Sequence, residues 1–234
     1  NNLQNKNTMK LKLHHYPNSR SQRIVWLLEE LKLDYELEIH LEHTQTTNGQ
    51  TLKFPTLLIQ HDPQNQLRLT ETSAIAEYLC QQQQKLIIYP NLQDYWNFCF
   101  YQHYADASFM PNLALKQVFS QIAQQTPWLV RFVSLAFKMA FNKSYLNPEI
   151  AQQLQQINLH LTEHTWLAGD DFTYADILLW FPLQASAYAS PDFAHYPALV
   201  NYLQQIKSRP AFQTSLQKGQ WSADLFQRYW QITS

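Results

Sequence analysis

Three side chains that can donate a hydrogen bond to an anion lie in one short segment between a predicted strand and a predicted helix. They are Tyr16, Asn18 and Ser19. A helix N-terminus favours a negatively charged group, because its first N–H groups are unpaired and the helix dipole is positive there. The segment therefore predicts a site that binds an anion. The residues leave open which of the three donates, and whether Ser19 only caps the helix.

The elements around this segment predict an α/β N-terminal domain over residues 9–85. Alternating apolar and polar residues indicate strands near 9–13, 35–39, 56–60 and 67–70. Apolar residues at helical spacing indicate helices at 24–31 and 74–79, and Ser19 with Gln22 has the spacing of a capping box. The resulting order, βαβ followed by ββα, is that of a thioredoxin-like domain.

The second half of the chain predicts only helices, which we assign to an all-α helical bundle domain over 93–220, followed by an aromatic tail over 221–234. Pro111 and Pro182 are expected to kink or break two of these helices. Thr173 and Asp176 have the spacing of a capping box, which is a folding signal and not a catalytic one. The predicted helices are 94–117, 127–141, 148–164, 174–189, 197–207 and 210–217.

Charge and cysteine content exclude several classes of protein. The formal net charge is −1, which argues against a nucleic-acid partner. Cys80 and Cys99 lie outside any metal-ligand spacing, and the pair His14–His15 lies in a predicted strand, so we expect no metal site. The sequence shows neither a long apolar run nor a secretory signal in 1–8. We therefore expect a cytoplasmic protein with no membrane partner; whether Met9 is the natural start stays open.

Separated stretches of the chain resemble the glutathione transferases, and in particular a bacterial and fungal branch of that family. The resemblance covers about residues 10–219. It implies a thioredoxin-like domain that binds glutathione, a helical domain that shapes the second substrate's pocket, and a homodimer. The stretches are YPNSRSQR at 16–23 leading into WLLEEL at 26–31, FPTL at 54–57, ETSAI at 71–75, HYADASFMP at 103–111 and LAGDDFTYADI at 167–177.

The resemblance also implies the residues that contact glutathione. Phe54 and Pro55 correspond to the family's cis-proline turn, whose backbone pairs with the cysteinyl unit of glutathione, and Lys53 would meet the glycine carboxylate. Glu71 and Thr72 correspond to the pair that binds the γ-glutamyl end. Phe54 departs from the family's usual valine or serine, and the loop before it lacks the usual Pro-Leu-Gly.

Tyr104, Phe109 and Met110 are implied by the resemblance as the wall of the second substrate's pocket. The resemblance also implies that the anion bound by the segment at 16–19 is the glutathione thiolate. A thiol reacts as its thiolate, yet a free thiol is mostly protonated at neutral pH. The expected activity is conjugation of reduced glutathione to small electrophilic hydrophobic substrates. A glutathione-dependent peroxidase or disulfide reductase would use the same thiolate with another acceptor. A third alternative is a non-catalytic binding protein that keeps the fold. Because no cysteine lies in the segment at 16–22, a mixed disulfide with the enzyme is disfavoured.

Overall fold

The computed structural model describes residues 9–42, 49, 51–62 and 64–231 of the chain. These residues form two compact units. Unit 1 contains the described residues up to Lys85 together with Ser208–Ser222, and unit 2 contains Leu86–Lys207 and the described residues from Ala223 onward. The first segment of unit 1 ends at Lys85, and residues 208–222 belong with unit 1.

Unit 1 is built on a four-stranded mixed sheet, which confirms the predicted thioredoxin-like arrangement. The strand order is β2-β1-β3-β4, with β1 parallel to β2, and β3 antiparallel to both β1 and β4. Leu11 and Leu13 are buried on one face, and Lys12 and His14 lie on the other. The strands are β1 (Lys10–His15), β2 (Glu36–Ile39), β3 (Thr56–Asp62) and β4 (Asn65–Thr70).

The helices of unit 1 include one that the sequence assigned to the other domain. They are α1 (Gln22–Leu31), α2 (Thr72–Gln83) and α9 (Pro210–Lys218). The α9 helix packs on α1: the Trp26 and Phe212 rings meet edge to face at 4.9 Å, and the Arg209 guanidinium donates to both oxygens of Glu30 at 2.7 and 2.8 Å. The α9 helix follows the helices of unit 2 in sequence, and nothing in its own sequence indicates that it packs in unit 1. Sequence order alone therefore places it in unit 2.

The predicted capping box at the start of α1 is wrong. The helix begins at Gln22, and Ser21 occupies the N-cap position without a side-chain cap. The Ser19 hydroxyl instead accepts from the Ser21 N–H at 3.2 Å, one turn before the helix. Gln22 cannot close the box, because its amide donates to the Ser215 carbonyl of α9 at 2.7 Å. Tertiary packing against α9 therefore overrides the local capping pattern.

Unit 2 is all-helical, as predicted, but two of its helices join their neighbours through π-helical segments. The segment Ala105–Phe109 connects α3 to α4, and Asn142–Leu146 connects α5 to α6. A proline, Pro111 or Pro148, follows each segment in the first turn of the next helix. Because proline lacks an N–H and its ring clashes with the carbonyl four residues earlier, widening the preceding turn lets the helix direction continue.

The remaining bounds of unit 2 follow the sequence closely. Pro182 lies inside α7, which runs on past it and is buried along most of its length, so the expected break at Pro182 does not occur. A short 3-10 turn at Pro191–His195 follows α7. The α-helices are α3 (Tyr95–Tyr104), α4 (Met110–Gln125), α5 (Arg131–Phe141), α6 (Asn147–Glu163), α7 (Tyr174–Ala189), α8 (Pro197–Lys207) and α10 (Ala223–Trp230).

The turn before α5 and the helix itself expose much apolar surface, which we call the α5 apolar surface. No helix in the described part of the chain is long and apolar enough to cross a bilayer. The α5 apolar surface consists of the large apolar side chains of this segment that are more than half exposed. Its exposed members are Trp128, Leu129, Phe132, Val133, Phe137 and Met139.

The capping box at the start of α7 is present as predicted. The buried Asp176 carboxylate accepts from the Thr173 N–H at 2.8 Å. It also accepts from the Leu167 N–H at 3.0 Å and from the Tyr202 hydroxyl at 2.7 Å. Burial raises the pKa of Asp176 to about 6, although these hydrogen bonds act to lower it. One carboxylate thus joins the start of α7 to α8 and to the loop before it.

Thr173→Ala is expected to destabilise the protein by about 1 kcal/mol, because it removes the N-cap hydroxyl of a buried helix. Urea denaturation followed by circular dichroism measures this as a lower midpoint. Thr173→Ser keeps the hydroxyl and is the matched control, so it should stay close to wild type. Equal midpoints for the alanine and serine variants would contradict the capping role.

Candidate functional site

The register of the sheet brings the three predicted ligand-contacting stretches to one edge of unit 1. His14 on β1 pairs with Thr56 on β3, and Thr56 pairs with Thr70 on β4. The chain therefore leaves β1 toward 16–19, enters β3 from 53–55 and leaves β4 toward 71–72 at the same edge. Residues far apart in sequence are adjacent here because β3 runs antiparallel to both of its neighbours.

A buried histidine organises the segment that leads into α1. The His15 ring is fully buried, and its Nε2 lies 2.9 Å from the Gly219 carbonyl oxygen. Since a carbonyl only accepts, Nε2 carries the hydrogen and Nδ1 is an acceptor. The Ser21 hydroxyl, 2.7 Å from Nδ1, must therefore donate to it. Burial lowers the pKa of His15 to about 4, so the ring stays neutral at pH 7.

This arrangement fixes what the Ser19 hydroxyl can do. Because Ser21 gives its only hydrogen to His15, its oxygen is an acceptor toward Ser19, whose oxygen is 2.7 Å away. The same oxygen accepts from the Tyr16 N–H at 3.2 Å. Ser19 therefore keeps a donor hydrogen of its own, which points to Ser21 here and can rotate toward a ligand.

Asn18 is held with its donor end available. Its backbone is in the left-handed region, with φ 56°. Its side-chain oxygen accepts from the Ser222 N–H at 2.8 Å, so the amide NH2 is the end that can donate to a ligand. Asparagine tolerates the left-handed conformation better than most residues, which explains why it suits this turn. Asn18, Ser19 and Tyr16 are all half-buried at the same turn.

The turn before β3 has the predicted cis bond between Phe54 and Pro55. The Thr56 hydroxyl donates to the Lys53 carbonyl at 2.6 Å and so holds the backbone of the turn. The Lys53 side chain is exposed. The Phe54 ring packs against the Tyr16 ring at 5.6 Å, which joins this turn to the segment before α1.

Glu71 and Thr72 stand at the N-terminus of α2. Glu71 is exposed and adopts φ 69°, a conformation that costs a residue with a Cβ about 1 kcal/mol or more. Thr72 is buried and begins the helix. Strained backbone of this kind concentrates at sites that bind ligands, and the free N–H groups of the first helical turn favour a carboxylate.

The three residues expected to wall a second pocket lie around the first π-helical segment of unit 2. Phe109 has no exposed surface and stacks on Tyr104 at 6.2 Å, so in this structure it supports Tyr104 and cannot touch a ligand itself. Met110 is half-buried. The Tyr104 hydroxyl is buried and has no hydrogen-bond partner among the described residues. Burial raises the pKa of Tyr104 to about 12, so the phenol is a neutral donor at pH 7.

Tyr104 also lines an open cavity of about 480 Å³ within unit 2. The other lining residues were not predicted, although their spacing of three and four along α3 and beyond is typical of residues on one helix face. The other lining residues are Trp96, Cys99, Phe100, His103, Ala107 and Ser108.

Two further residues of the unit 1 site were missed in the sequence. His15 follows Leu11 and Leu13 at a spacing of two and so lies on the same buried face of β1. A polar residue at such a position indicates a buried hydrogen-bonding group. Gly219 lies about 200 residues away, and no sequence pattern connects it to His15. Gln22 leaves no room for a Cβ at Gly219.

The sequence patterns of two protein domains match this chain. The glutathione S-transferase N-terminal domain matches residues 13–85, and the glutathione S-transferase C-terminal domain matches residues 118–210. Together the matches span most of both units.

Two curated proteins are similar over most of their length. Glutathione S-transferase 3 of Schizosaccharomyces pombe is 28% identical over 214 residues, which cover 88% of this chain and 86% of that protein. The disulfide-bond oxidoreductase YfcG of Escherichia coli is 25% identical over 222 residues, which cover 89% and 95%.

Solved structures agree with this assignment. A glutathione S-transferase from Actinobacillus pleuropneumoniae has a TM-score of 0.69 and 28% identity, covering 92% of this chain and 95% of that one. A sphingomonad glutathione S-transferase, solved in complex with glutathione, has a TM-score of 0.66 at 22% identity, covering 89% and 98%, and it supports the fold alone. With both domains matched and the fold shared, the chain belongs to the glutathione S-transferase family.

Proposed function

We propose that this protein binds reduced glutathione at the edge of unit 1 and transfers it, as the thiolate, to small electrophilic hydrophobic substrates. The observation that carries the proposal is the convergence of three stretches on one sheet edge. They supply hydrogen-bond donors beside α1, a backbone turn at 53–55 and a free helix N-terminus at α2. The match of residues 13–85 to the glutathione S-transferase N-terminal domain supports the choice of ligand.

Each stretch suits one part of glutathione. The first turn of α2 offers N–H groups to the γ-glutamyl carboxylate, and the exposed carboxylate of Glu71 suits the α-ammonium group. The backbone at Phe54 can pair with the cysteinyl unit as an added strand does. The exposed ammonium of Lys53 suits the glycine carboxylate.

Ser19 and Asn18 are the best placed residues to donate hydrogen bonds to the thiolate. Ser19 keeps a donor hydrogen because the Ser21 hydroxyl is committed to His15, and a thiolate is a stronger acceptor than a neutral hydroxyl. Asn18 offers its NH2 without breaking a bond, since its oxygen is the end that binds Ser222. Tyr16 remains the third donor. The thiolate then attacks the electrophilic carbon and displaces the leaving group, with no enzyme thiol involved.

The reductase alternative is favoured by one finding, the similarity to a disulfide-bond oxidoreductase. Cys80 is buried, and its burial raises the pKa of the thiol, so it is not a reactive group. Disulfide reduction at the unit 1 site would therefore use two glutathione molecules. The first thiolate attacks the substrate disulfide, which releases one substrate thiol and leaves a mixed disulfide with glutathione. The second attacks the glutathione sulfur of that mixed disulfide, which releases the other substrate thiol and forms oxidised glutathione. The binding-only alternative predicts glutathione affinity without turnover.

The proposal is tested by calorimetric titration with reduced glutathione, followed in the same sample by two assays. Micromolar-to-millimolar binding with conjugation of an aryl halide is the expected result. Binding with reduction of a small disulfide and no conjugation would favour the reductase. Binding with neither activity would leave a binding protein, and no binding at several millimolar would refute the glutathione assignment.

Ser19→Ala and Asn18→Ala are each expected to lower the conjugation rate by about tenfold or more, because a donor to the thiolate is lost. Tyr16→Phe should have the smaller effect. The direct measurement is the pKa of the bound thiol, followed by thiolate absorbance in the ultraviolet as a function of pH; it should rise in the two alanine variants. Ser19→Thr keeps the hydroxyl and is the matched control. An unchanged thiol pKa in every variant would exclude all three donors.

The proposed assembly is a cytoplasmic homodimer, with detoxification as its role. The α5 apolar surface supports a second copy as its cover, since burying such residues contributes roughly 25 cal/mol per Å². The resemblance to the family favours unit 1 of the partner as the opposing surface.

Replacing Phe132 and Phe137 with glutamate should convert the dimer to a monomer, because two charges would have to be buried without partners. Size-exclusion chromatography with light scattering measures the mass directly. Leu159→Glu, the same kind of change at an exposed apolar residue of α6, is the control and should remain dimeric. A wild-type protein that elutes as a monomer, or a double variant that stays dimeric, would refute this interface.

A further inference from the structure

A cluster of three metal-ligating side chains lies on the face of the unit 1 sheet opposite its buried leucines. The parallel register places His14 on β1 beside Glu38 on β2, and His40 follows two residues after Glu38 on the same face. Their ligand atoms all lie within 4.8 Å of one another. The adjacent pair His14 and His15 did not predict a metal site, because the partners of His14 lie on and just after the neighbouring strand β2 and not next to it in sequence.

The spacing of these atoms matches a tetrahedral metal site. His14 Nδ1 lies 3.0 Å from His40 Nε2. Of the two Glu38 oxygens, Oε2 lies 3.6 Å from His14 Nδ1 and Oε1 lies 3.2 Å from His40 Nε2. A tetrahedral ion with bonds of about 2.0–2.1 Å separates its ligand atoms by about 3.3–3.4 Å. An ion bound to both nitrogens and one Glu38 oxygen therefore requires the carboxylate to rotate and the two nitrogens to move apart by about 0.3 Å.

We propose that His14, Glu38 and His40 form a binding site for a divalent transition-metal ion, of which zinc fits best. Two neutral imidazoles and one carboxylate are ligands that zinc accepts, and a three-ligand site leaves the fourth position to water. The side chains of His14 and His40 remain 15% and 11% exposed, and that of Glu38 is 39% exposed, so solvent reaches the site. The proposal stands apart from the glutathione site and does not depend on it.

The charged groups around the cluster limit its affinity for a cation. Lys12 Nζ lies 2.7 Å from a Glu38 oxygen and 2.9 Å from a Glu36 oxygen. Arg68 also acts electrostatically on His14, so the two cations offset the two carboxylates. A bound ion must compete with Lys12 for Glu38, although Lys12 can keep its pairing with Glu36. Binding should therefore be reversible by chelators.

The cluster is also coupled to the predicted glutathione turn by a ring contact. The His40 ring lies 5.1 Å from the Phe54 ring. An ion that holds His40 would fix the surface on which Phe54 packs. Phe54 is the residue that departs from the family pattern, so this contact is particular to a chain that carries both aromatic residues.

The test uses protein without a histidine tag, treated with a chelator and titrated calorimetrically with zinc chloride. We expect one zinc ion per chain in the wild type. His14→Ala and His40→Phe should each weaken binding at least tenfold, since removal even of an outer-shell partner costs about 10–100-fold. The phenylalanine keeps a ring against Phe54. Glu38→Gln should also weaken binding, and Lys12→Met should strengthen it, because the competing ammonium is removed.

The control is His164→Ala, which removes one member of another histidine pair, since the His160 and His164 rings lie 4.5 Å apart at the end of α6. This variant should bind zinc as the wild type does. Thermal melts show whether each variant is folded, and replacement of zinc by cobalt should give the intense visible absorption of tetrahedral coordination. The proposal is overturned if the folded wild type binds no zinc stoichiometrically, or if binding survives His14→Ala and His40→Phe but is lost in His164→Ala.

Discussion

The neutral imidazole of His15 must satisfy two buried nitrogens, and the start of α1 is arranged around that requirement. One nitrogen donates to the carbonyl of Gly219, and the other accepts from the Ser21 hydroxyl. A buried polar group without a partner costs about 1–3 kcal/mol, so β1, the turn before α1 and the end of α9 are held together by one ring. The same ring determines the direction of each hydrogen bond as far as Ser19, and so connects the core of unit 1 to the proposed glutathione site.

Local patterns in the sequence predicted those features that depend on neighbours along the chain. The strand alternation, the α7 capping box at Thr173 and the order of elements all belong to this class. The capping box proposed for Ser19 failed because the Gln22 side chain serves α9 instead. The packing of residues 208–222 in unit 1 could not be predicted for the same reason, because the contacts that hold them there join residues nearly 200 positions apart.

The proposed glutathione site could be predicted from the sequence, and the proposed metal site could not. The family resemblance predicted which stretches contact the ligand, and the sheet register explains why these stretches meet at one end of the strands. No family resemblance indicated that His14, Glu38 and His40 lie together. They come together only because β1 and β2 are parallel with His14 opposite Glu38, a register that alternation within each strand does not determine.

Two helices of unit 1 end in a left-handed residue that carries a side chain, Lys32 after α1 and Gln84 after α2, with φ 56° and 51°. Helices commonly close this way with glycine, and this chain has only three glycines in total. Each such ending costs about 1 kcal/mol relative to glycine. These two helix ends therefore lower the thermal stability of the protein. Glycine at either position would raise it without disturbing the proposed glutathione site or the sheet face beside it.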